Sequence, residues 1–404
     1  MCVPYARPVV DRDRLLELVR RVDEALPGRA VVFGSLPPEG RDLDVIARPA
    51  EADAVARALD AAGLERKGES WALLADCSAY LVELARADAW GAPAELFDEA
   101  TPLEHCTNLC APAPHHAALL LARVVDRSGG GLSAKRRARL DAVLERDPGA
   151  LEEARRHAPA WRAERELAAL DALHSGDEEP RRRRLPRLRR GAVVTLSGLD
   201  GAGKSSQATA LREALDRLGV DAVVIWAPVE GHPLLNLVGR PLKRLLGRDP
   251  SSSVMSAPAA GGSGGGGSAA RRLWTTFVTL VHAAEQRRLA FPHLARGRVV
   301  VFDRHVLDAV VRLRFTYGDT GGFRLQKTLI RLVSPRARLA YYLEIRPETS
   351  LARKDDVWSL AELSRHAELY REELPGLGVR RLDGERPREE LCAEIARDVW
   401  RALG

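Results

Sequence analysis

From residue 192 onward, short β-branched runs alternate with longer segments whose apolar positions recur at helical spacing. The pattern predicts strands at Ala192–Leu196, Asp221–Trp226, Arg298–Phe302, Leu339–Glu344 and Val379–Leu382. It predicts helices at Lys204–Leu218, Ala270–Leu294, Phe323–Val333, Leu360–Leu374 and Arg388–Leu403. Unbroken apolar strands alternating with helices imply βαβ units and a parallel α/β sheet covered on both faces. The first 175 residues read differently. A helix at 12–25 precedes short strands near 29–33 and 43–47, a helix at 51–62, strands near 71–75 and 79–84, and a helical block from 114 to 172. That order fits a smaller α+β domain with a helical tail. Between the halves, residues 176–190 (GDEEPRRRRLPRLRR) lack apolar periodicity and read as an exposed, Arg-rich linker. Residues 250–268 are Gly/Ser-rich and read as a flexible insert. Two domains are therefore expected, 1–175 and 191–404.

Composition narrows the class. At 404 residues, 46% hydrophobic and 29% charged, the chain is neither collagen-like, globally disordered nor a pure coiled coil. Of the 62 basic residues only six are Lys, and seven Arg fall between Arg181 and Arg190, so the net charge of +6 describes the linker. That run has no interleaved aromatics and reads as solvated, which makes nucleic acid an unexpected partner. The five Cys are odd in number and scattered, against a disulfide framework. No secretory signal and no long apolar window is present, so a reduced, cytoplasmic protein without a membrane partner is expected.

The strongest local signal is Gly198-Leu199-Asp200-Gly201-Ala202-Gly203-Lys204-Ser205, which fits G-x-x-x-x-G-K-[ST] between a predicted strand and a predicted helix. Glycines let successive backbone N–H groups turn inward around phosphates, and the helix beginning at Lys204 adds its positive end. Lys204 would reach the outer phosphates from a solvated position, and the Ser205 hydroxyl would ligate Mg²⁺. A second site emerges from the predicted strand Arg298–Phe302 as Asp303-Arg304-His305. An Asp at the carboxyl end of a parallel strand can hold Mg²⁺ through water, and the Arg can neutralise phosphoryl charge.

With LSGLDGAGKSSQATAL (196–211), FDRH (302–305), LEIRPETSLARKDD (343–356) and LDGERP (382–387) in order, residues 192–404 resemble thymidylate kinase and related nucleoside and nucleotide kinases. The resemblance covers about half of the chain. It implies an adenylate-kinase-like core binding ATP and Mg²⁺, with Gly198 to Ser206 around the nucleotide and Lys204, Asp303, Arg304 and Arg353 in catalysis. A lid at 353–366 would carry Arg353, with Lys354 and Arg365 as alternatives. Asp200 matches the acid that contacts the acceptor's sugar, and 382–387 matches the segment against adenine. The resemblance also allows a homodimer. Two departures concern the acceptor. Trp226-Ala227-Pro228 stands where thymidylate kinases carry Arg-Glu-Pro, and His282 stands where they carry a base-reading Arg, with Arg287 and Arg288 more than a turn away. The Ala-Tyr-Gln segment expected after Asp-Arg-His is also missing. The acceptor is therefore a nucleoside monophosphate resembling dTMP or a nucleoside.

The amino-terminal half carries Gly34-Ser35 after a strand, then Asp42-Leu-Asp44 opening the next. Alternation puts Asp42 and Asp44 on one face, where two carboxylates could share Mg²⁺. The arrangement resembles DNA polymerase beta-like nucleotidyltransferases, whose sites need a third carboxylate. Glu83 is the expected third, with Asp88 in reserve. His105, Cys106, Cys110, His115 and His116 form a metal-like cluster without a clean second ligand pair, and buried Cys with helix-capping His is the expectation there. Three functions compete: a nucleotide or nucleoside kinase, a nucleotidyltransferase modifying a protein, RNA or small molecule, and a nucleotide-binding regulator without turnover.

Overall fold

The computed structural model describes residues 12–34, 42–75, 78–127, 131–176, 191–226, 266–318, 323–354 and 358–403. Most of the Arg-rich segment 176–190 and most of the insert 250–268 lie outside them. Contacts group the chain into two compact units that part between Arg187 and Leu188. Each unit is a mixture of helices and a sheet with parallel strands, and no helix among the described residues is long and apolar enough to cross a membrane.

In the carboxy-terminal unit the apolar runs become a parallel sheet ordered β12-β11-β8-β10-β9, from β8 (Ala192–Gly198), β9 (Ala222–Trp226), β10 (Val299–Asp303), β11 (Leu339–Glu344) and β12 (Arg380–Asp383). Every residue of β8 and β10 is buried, as continuous apolar strands require. The first strand of the unit, β8, lies between β10 and β11, so successive connections leave it in opposite directions and open a crevice at its carboxyl end. Such an order is compatible with an α/β nucleotide-hydrolase-type fold.

Among the described residues of this unit, two α-helices are absent from the sequence reading. Val306–Tyr317 is rich in β-branched residues, and its polar stripe is only Asp308, Arg312 and Thr316, too narrow to mark a surface helix plainly. Its start is fixed by a capping box in which His305 and Asp308 satisfy each other's backbone N–H groups. Pro347–Arg353 is short and begins with Pro at its first turn. At the insert, a helix runs Gly266–Leu294, so the last residues read as a flexible loop are helical instead.

The amino-terminal unit is built on a mixed sheet ordered β3-β4-β5-β2-β1-β7-β6. Its centre is β1 (Ala30–Val32), β2 (Asp42–Ala47) and β5 (Ser78–Arg86), with β4 (Ser70–Ala75) beyond β5, and β2 is antiparallel to β1 and parallel to β5. Period-two alternation divides the side chains between two cores. Ala30, Val32, Leu43, Val45 and Val82 pack with Leu18, Val22, Val55 and Leu59 from the helices Arg12–Ala25 and Pro49–Ala61. On the other face, Val31, Phe33, Ile46 and Ala85 meet Leu119, Trp161 and Leu167 of the helical tail. Asp42, Asp44 and Glu83 fall in step with this second face. The outer strands β3 (Glu65–Lys67), β6 (Thr101–Pro102) and β7 (Leu109–Ala111) have two or three residues each, too few to display a period.

One buried carboxylate fastens β7 to the first helix. Asp23, 7% exposed, accepts backbone N–H groups from Thr107 (2.9 Å), Asn108 (2.7 Å) and Leu109 (2.6 Å). Asp23→Ala would orphan all three, and should lower the stability of this unit by about 3 kcal/mol. Urea unfolding followed by circular dichroism checks it, and a loss below about 0.5 kcal/mol, ordinary for a surface change, would contradict this role.

Candidate functional site

The crevice at the end of β8 gathers the carboxy-terminal motifs. Gly198 has φ +152°, and a Cβ there would lie 2.6 Å from the Leu343 carbonyl oxygen of β11. Only glycine fits that approach. Gly201 and Gly203 take φ +79° and +83°, turning the loop back into the helix Lys204–Arg217. The Lys204 ammonium is buried and donates to the carbonyls of Gly198 (2.9 Å) and Leu199 (2.7 Å). This corrects the expectation of a solvated lysine: without phosphate oxygens to meet, the ammonium satisfies itself on its own loop. Burial, with Arg304 nearby, lowers its pKa from the ordinary lysine value.

Adjacent pairing brings in β10. The parallel register sets Asp303 opposite Leu196, two residues before Gly198. The Ser205 hydroxyl then donates to Asp303 Oδ2. Asp303 is 4% exposed, and its Oδ1 is buried without a hydrogen-bond partner. An orphaned carboxylate oxygen beside a hydroxyl is an all-oxygen donor set of the kind Mg²⁺ takes, so these residues fit that ion.

Arg304 follows at φ +80°, a conformation rare for a side chain this large. Its guanidinium pairs with Asp200, which also accepts from Trp358 Nε1 (3.2 Å). Burial opposes charge on Asp200, but Arg304 and Lys204 outweigh it and hold the carboxyl below its usual range. Asp308 braces the floor. It accepts the Ser197 hydroxyl (2.6 Å), the His305 N–H (2.9 Å) and the Tyr370 hydroxyl (2.8 Å), joining three elements at one carboxylate.

A cavity of about 300 Å³ opens beside the loop, lined by Asp200, Arg304 and His282 among others. One wall, absent from the sequence reading, is aromatic. His366 stacks on Phe315 at 3.8 Å between centroids, Trp358 stands edge-on to His366, and Arg312 lies 5.1 Å over Trp358. Burial lowers His366 to about 4, so its ring is neutral near pH 7. These residues sit on or beside the helices Val306–Tyr317 and Leu360–Glu373. The missed helix carried Phe315 and Arg312, and the signals that could have revealed it are the His305–Asp308 capping box and the spacing of Asp308, Arg312 and Thr316.

The remaining positions divide. Arg353 ends its helix against the loop and donates to the Gly201 carbonyl (3.2 Å), and Lys354 lines the cavity. Arg365 pairs with Glu368 on an exposed face, and Arg288 pairs with Glu285 (2.6 Å); neither lines the cavity. His282 is buried and bonded to Gln286 at 2.9 Å. Trp226 is 65% exposed at the cavity's edge, whereas Ala227, Pro228 and residues 355–357 of the expected lid lie outside the described residues. In the 382–387 turn, a Cβ on Gly384 would meet Ile345 at 2.9 Å, so the turn packs tightly beside β11.

In the amino-terminal unit the register of β2 on β5 places Asp44 directly opposite Glu83. Gly34, at φ +111°, makes room for that pair: a Cβ there would lie 2.7 Å from Asp44 Oδ2. Ser35 lies outside the described residues. Burial, then the charges of Asp42 and Glu83, raises Asp44 from 3.8 to about 7, partly offset by Arg139 and Lys135. Burial and Asp42 also raise Glu83. Asp88, the reserve, is exposed and paired with Arg86. The Cys–His grouping does not hold together. Among the described residues the only metal-like group of three such side chains joins His115 and His116 to His157, without His105, Cys106 or Cys110.

No family model matches the chain. It is 37% identical over 118 residues to a thymidylate kinase from Alkalilimnicola ehrlichii, a match covering 28% of this chain and 44% of the relative. It is 26% identical over 187 residues to a probable thymidylate kinase from Pyrococcus abyssi, covering 45% of this chain and 78% of that relative. The chain thus spans under half of the first relative's length and is similar, in part, to thymidylate kinases.

Proposed function

We propose that the carboxy-terminal unit is an ATP- and Mg²⁺-dependent kinase acting on a nucleoside monophosphate or nucleoside. The observation that carries this reading is the meeting of the Gly198–Ser205 loop with Asp303 and Arg304 at the ends of two paired strands. In it, the loop N–H groups cradle the donor phosphates, and Lys204 exchanges the Gly198 and Leu199 carbonyls for phosphate oxygens. Ser205 and Asp303 hold Mg²⁺, which when bound neutralises phosphate charge. Arg353, already against Gly201, closes over the donor side. Asp200 keeps Arg304 aimed into the cavity and can accept a sugar hydroxyl. The wall of His366 and Trp358, with Phe315 stacked on His366, offers an aromatic surface for a base.

Lys204→Ala should lower kcat by at least about 10²-fold, the usual effect of deleting one preorganised charge. Because Lys204 is buried, a loss of about 1 kcal/mol in stability should accompany it. Steady-state ADP release against a panel of nucleosides and nucleoside monophosphates, with circular dichroism as the fold control, makes the measurement. A variant with wild-type kcat would exclude this loop from the reaction.

The acceptor pocket lacks both groups that thymidylate kinases would use, since His282 is buried and engaged and Trp226 replaces the Arg. Turnover of dTMP should therefore be weak, with kcat/KM below about 10⁵ M⁻¹s⁻¹. A higher value would identify dTMP as the acceptor and another group as its phosphate ligand.

A second reading concerns the amino-terminal unit, favoured by the convergence of Asp42, Asp44 and Glu83 with Arg139 and Lys135 nearby. It is a nucleotidyltransferase-like site in which the three carboxylates take Mg²⁺. A carboxyl raised from 3.8 to about 7 keeps its proton in the folded state while the unfolded chain loses it. Stability therefore falls as pH rises across that window and levels off above it. Allowing for partial exposure, Asp44→Asn should gain about 1–2 kcal/mol over wild type at pH 7.5 and nothing at pH 4. Mg²⁺ should restore the wild type and leave the variant unchanged. Thermal unfolding from pH 4 to 8, with and without Mg²⁺, checks this, and parallel curves for the two proteins would contradict the reading.

A further inference from the structure

Three imidazoles meet in the helical tail of the amino-terminal unit, on residues that neither proposed reaction uses. His115 and His116 lie in the first turn of the helix Pro114–Arg127, and His157 lies on the helix Ala150–Trp161. One ligand nitrogen from each lies within 4.8 Å of the other two. The ring centroids of His115 are 4.2 Å from His116 and 4.5 Å from His157. A carboxylate completes the group: Glu99 Oε2 is 3.1 Å from His115 Nε2 and 3.6 Å from His116 Nε2.

His116 separates this cluster from ordinary packing. It is 0% exposed, and its ring nitrogens find only contacts short of a well-formed hydrogen bond, with the Glu95 backbone and with Glu99 Oε2 at 3.6 Å. A buried polar atom without a partner costs about 1–3 kcal/mol. A leucine would fill this place between Trp161 and the sheet without that cost. The buried nitrogens and the meeting of three rings at one point both call for a Lewis acid as the missing partner.

We propose that His115, His116 and His157, with Glu99 as fourth ligand, bind a structural Zn²⁺. Three imidazoles and a carboxylate form a closed, four-coordinate set of the donors zinc prefers. At zinc–nitrogen distances of about 2.0–2.1 Å, tetrahedral ligands lie about 3.4 Å apart. The rings must therefore close by roughly an ångström, within reach of small side-chain rotations. Glu153, 3.2 Å from His157 Nε2, steadies the third ring as an outer carboxylate. The metal would tie the helices Pro114–Arg127 and Ala150–Trp161 to Glu99, which follows the short helix Glu95–Asp98.

The test uses the full chain, stripped by chelator and titrated with Zn²⁺, and with Co²⁺ as spectroscopic reporter. The expected result is one Zn²⁺ per chain and a rise in the melting temperature. Co²⁺ should give visible bands of a four-coordinate site, displaced by Zn²⁺, without the near-ultraviolet band of a thiolate ligand. His157→Gln, at a half-buried position, should weaken Zn²⁺ binding at least 100-fold and abolish the thermal shift. Glu99→Gln should weaken it at least 10-fold, and it carries the same test if His157→Gln fails to fold. Asp44→Asn should bind Zn²⁺ as wild type does. Absence of stoichiometric Zn²⁺ binding, a thiolate band, insensitivity to the His157 and Glu99 changes, or loss of binding in Asp44→Asn would each overturn the proposal.

Discussion

The pairing of β8 with β10 is the constraint on which the carboxy-terminal unit depends. Two fully buried, largely apolar strands can lie side by side only in a register that uses every backbone hydrogen bond, and that register sets Asp303 opposite Leu196. Both chains then leave the sheet at one place. One becomes a glycine-rich turn into a helix, and the other presents a carboxylate and a guanidinium. Polar side chains enter only at the last positions of the strands, Ser197 and Asp303, because the residues before them are almost all committed to the core. The chemistry is therefore confined to the strand ends, and the apolar strands beneath make it rigid.

Around that point the charges balance one another. Arg304 is matched by Asp200, Ser205 by one oxygen of Asp303, and Lys204 by two loop carbonyls. Each arrangement is satisfied enough to fold and leaves a group that a phosphate or cation would complete. The amino-terminal unit shows the same logic with the opposite sign. Asp44 and Glu83 are forced together by register, and the cost appears as carboxyls that resist ionisation. In both units the polar groups are held where their own protein does not fully satisfy them.

Much of this was legible in the sequence. The glycine spacing at 198–203 and the unbroken apolar runs located the sheet, the loop and Asp303-Arg304. Alternation alone put Asp42 and Asp44 on one face. What the sequence hid had physical causes. Val306–Tyr317 shows only a narrow polar stripe of Asp308, Arg312 and Thr316 among β-branched residues, and with it went Arg312 and Phe315. His157 lies 41 residues beyond His116, and only helix packing in the tail brings the rings together. The grouping of His115 and His116 with Cys106 and Cys110 followed proximity in the chain, which the fold does not respect. Lys204 was expected in solvent because its role was read from the bound state; alone, the ammonium turns to the nearest carbonyls.

The central claim is that the β8–β10 register builds a site for a nucleotide with its divalent ion. The most direct measurement is the affinity of the full chain for ATP by calorimetry, with and without Mg²⁺, for wild type and Asp303→Asn. Asparagine can keep the hydrogen bond to Ser205 while losing the charge that Mg²⁺ needs. The account predicts that Mg²⁺ tightens ATP binding at least 10-fold in wild type, about 1.4 kcal/mol, and has little effect in the variant. Equal Mg²⁺ dependence in the two proteins, or no ATP binding by wild type, would contradict it.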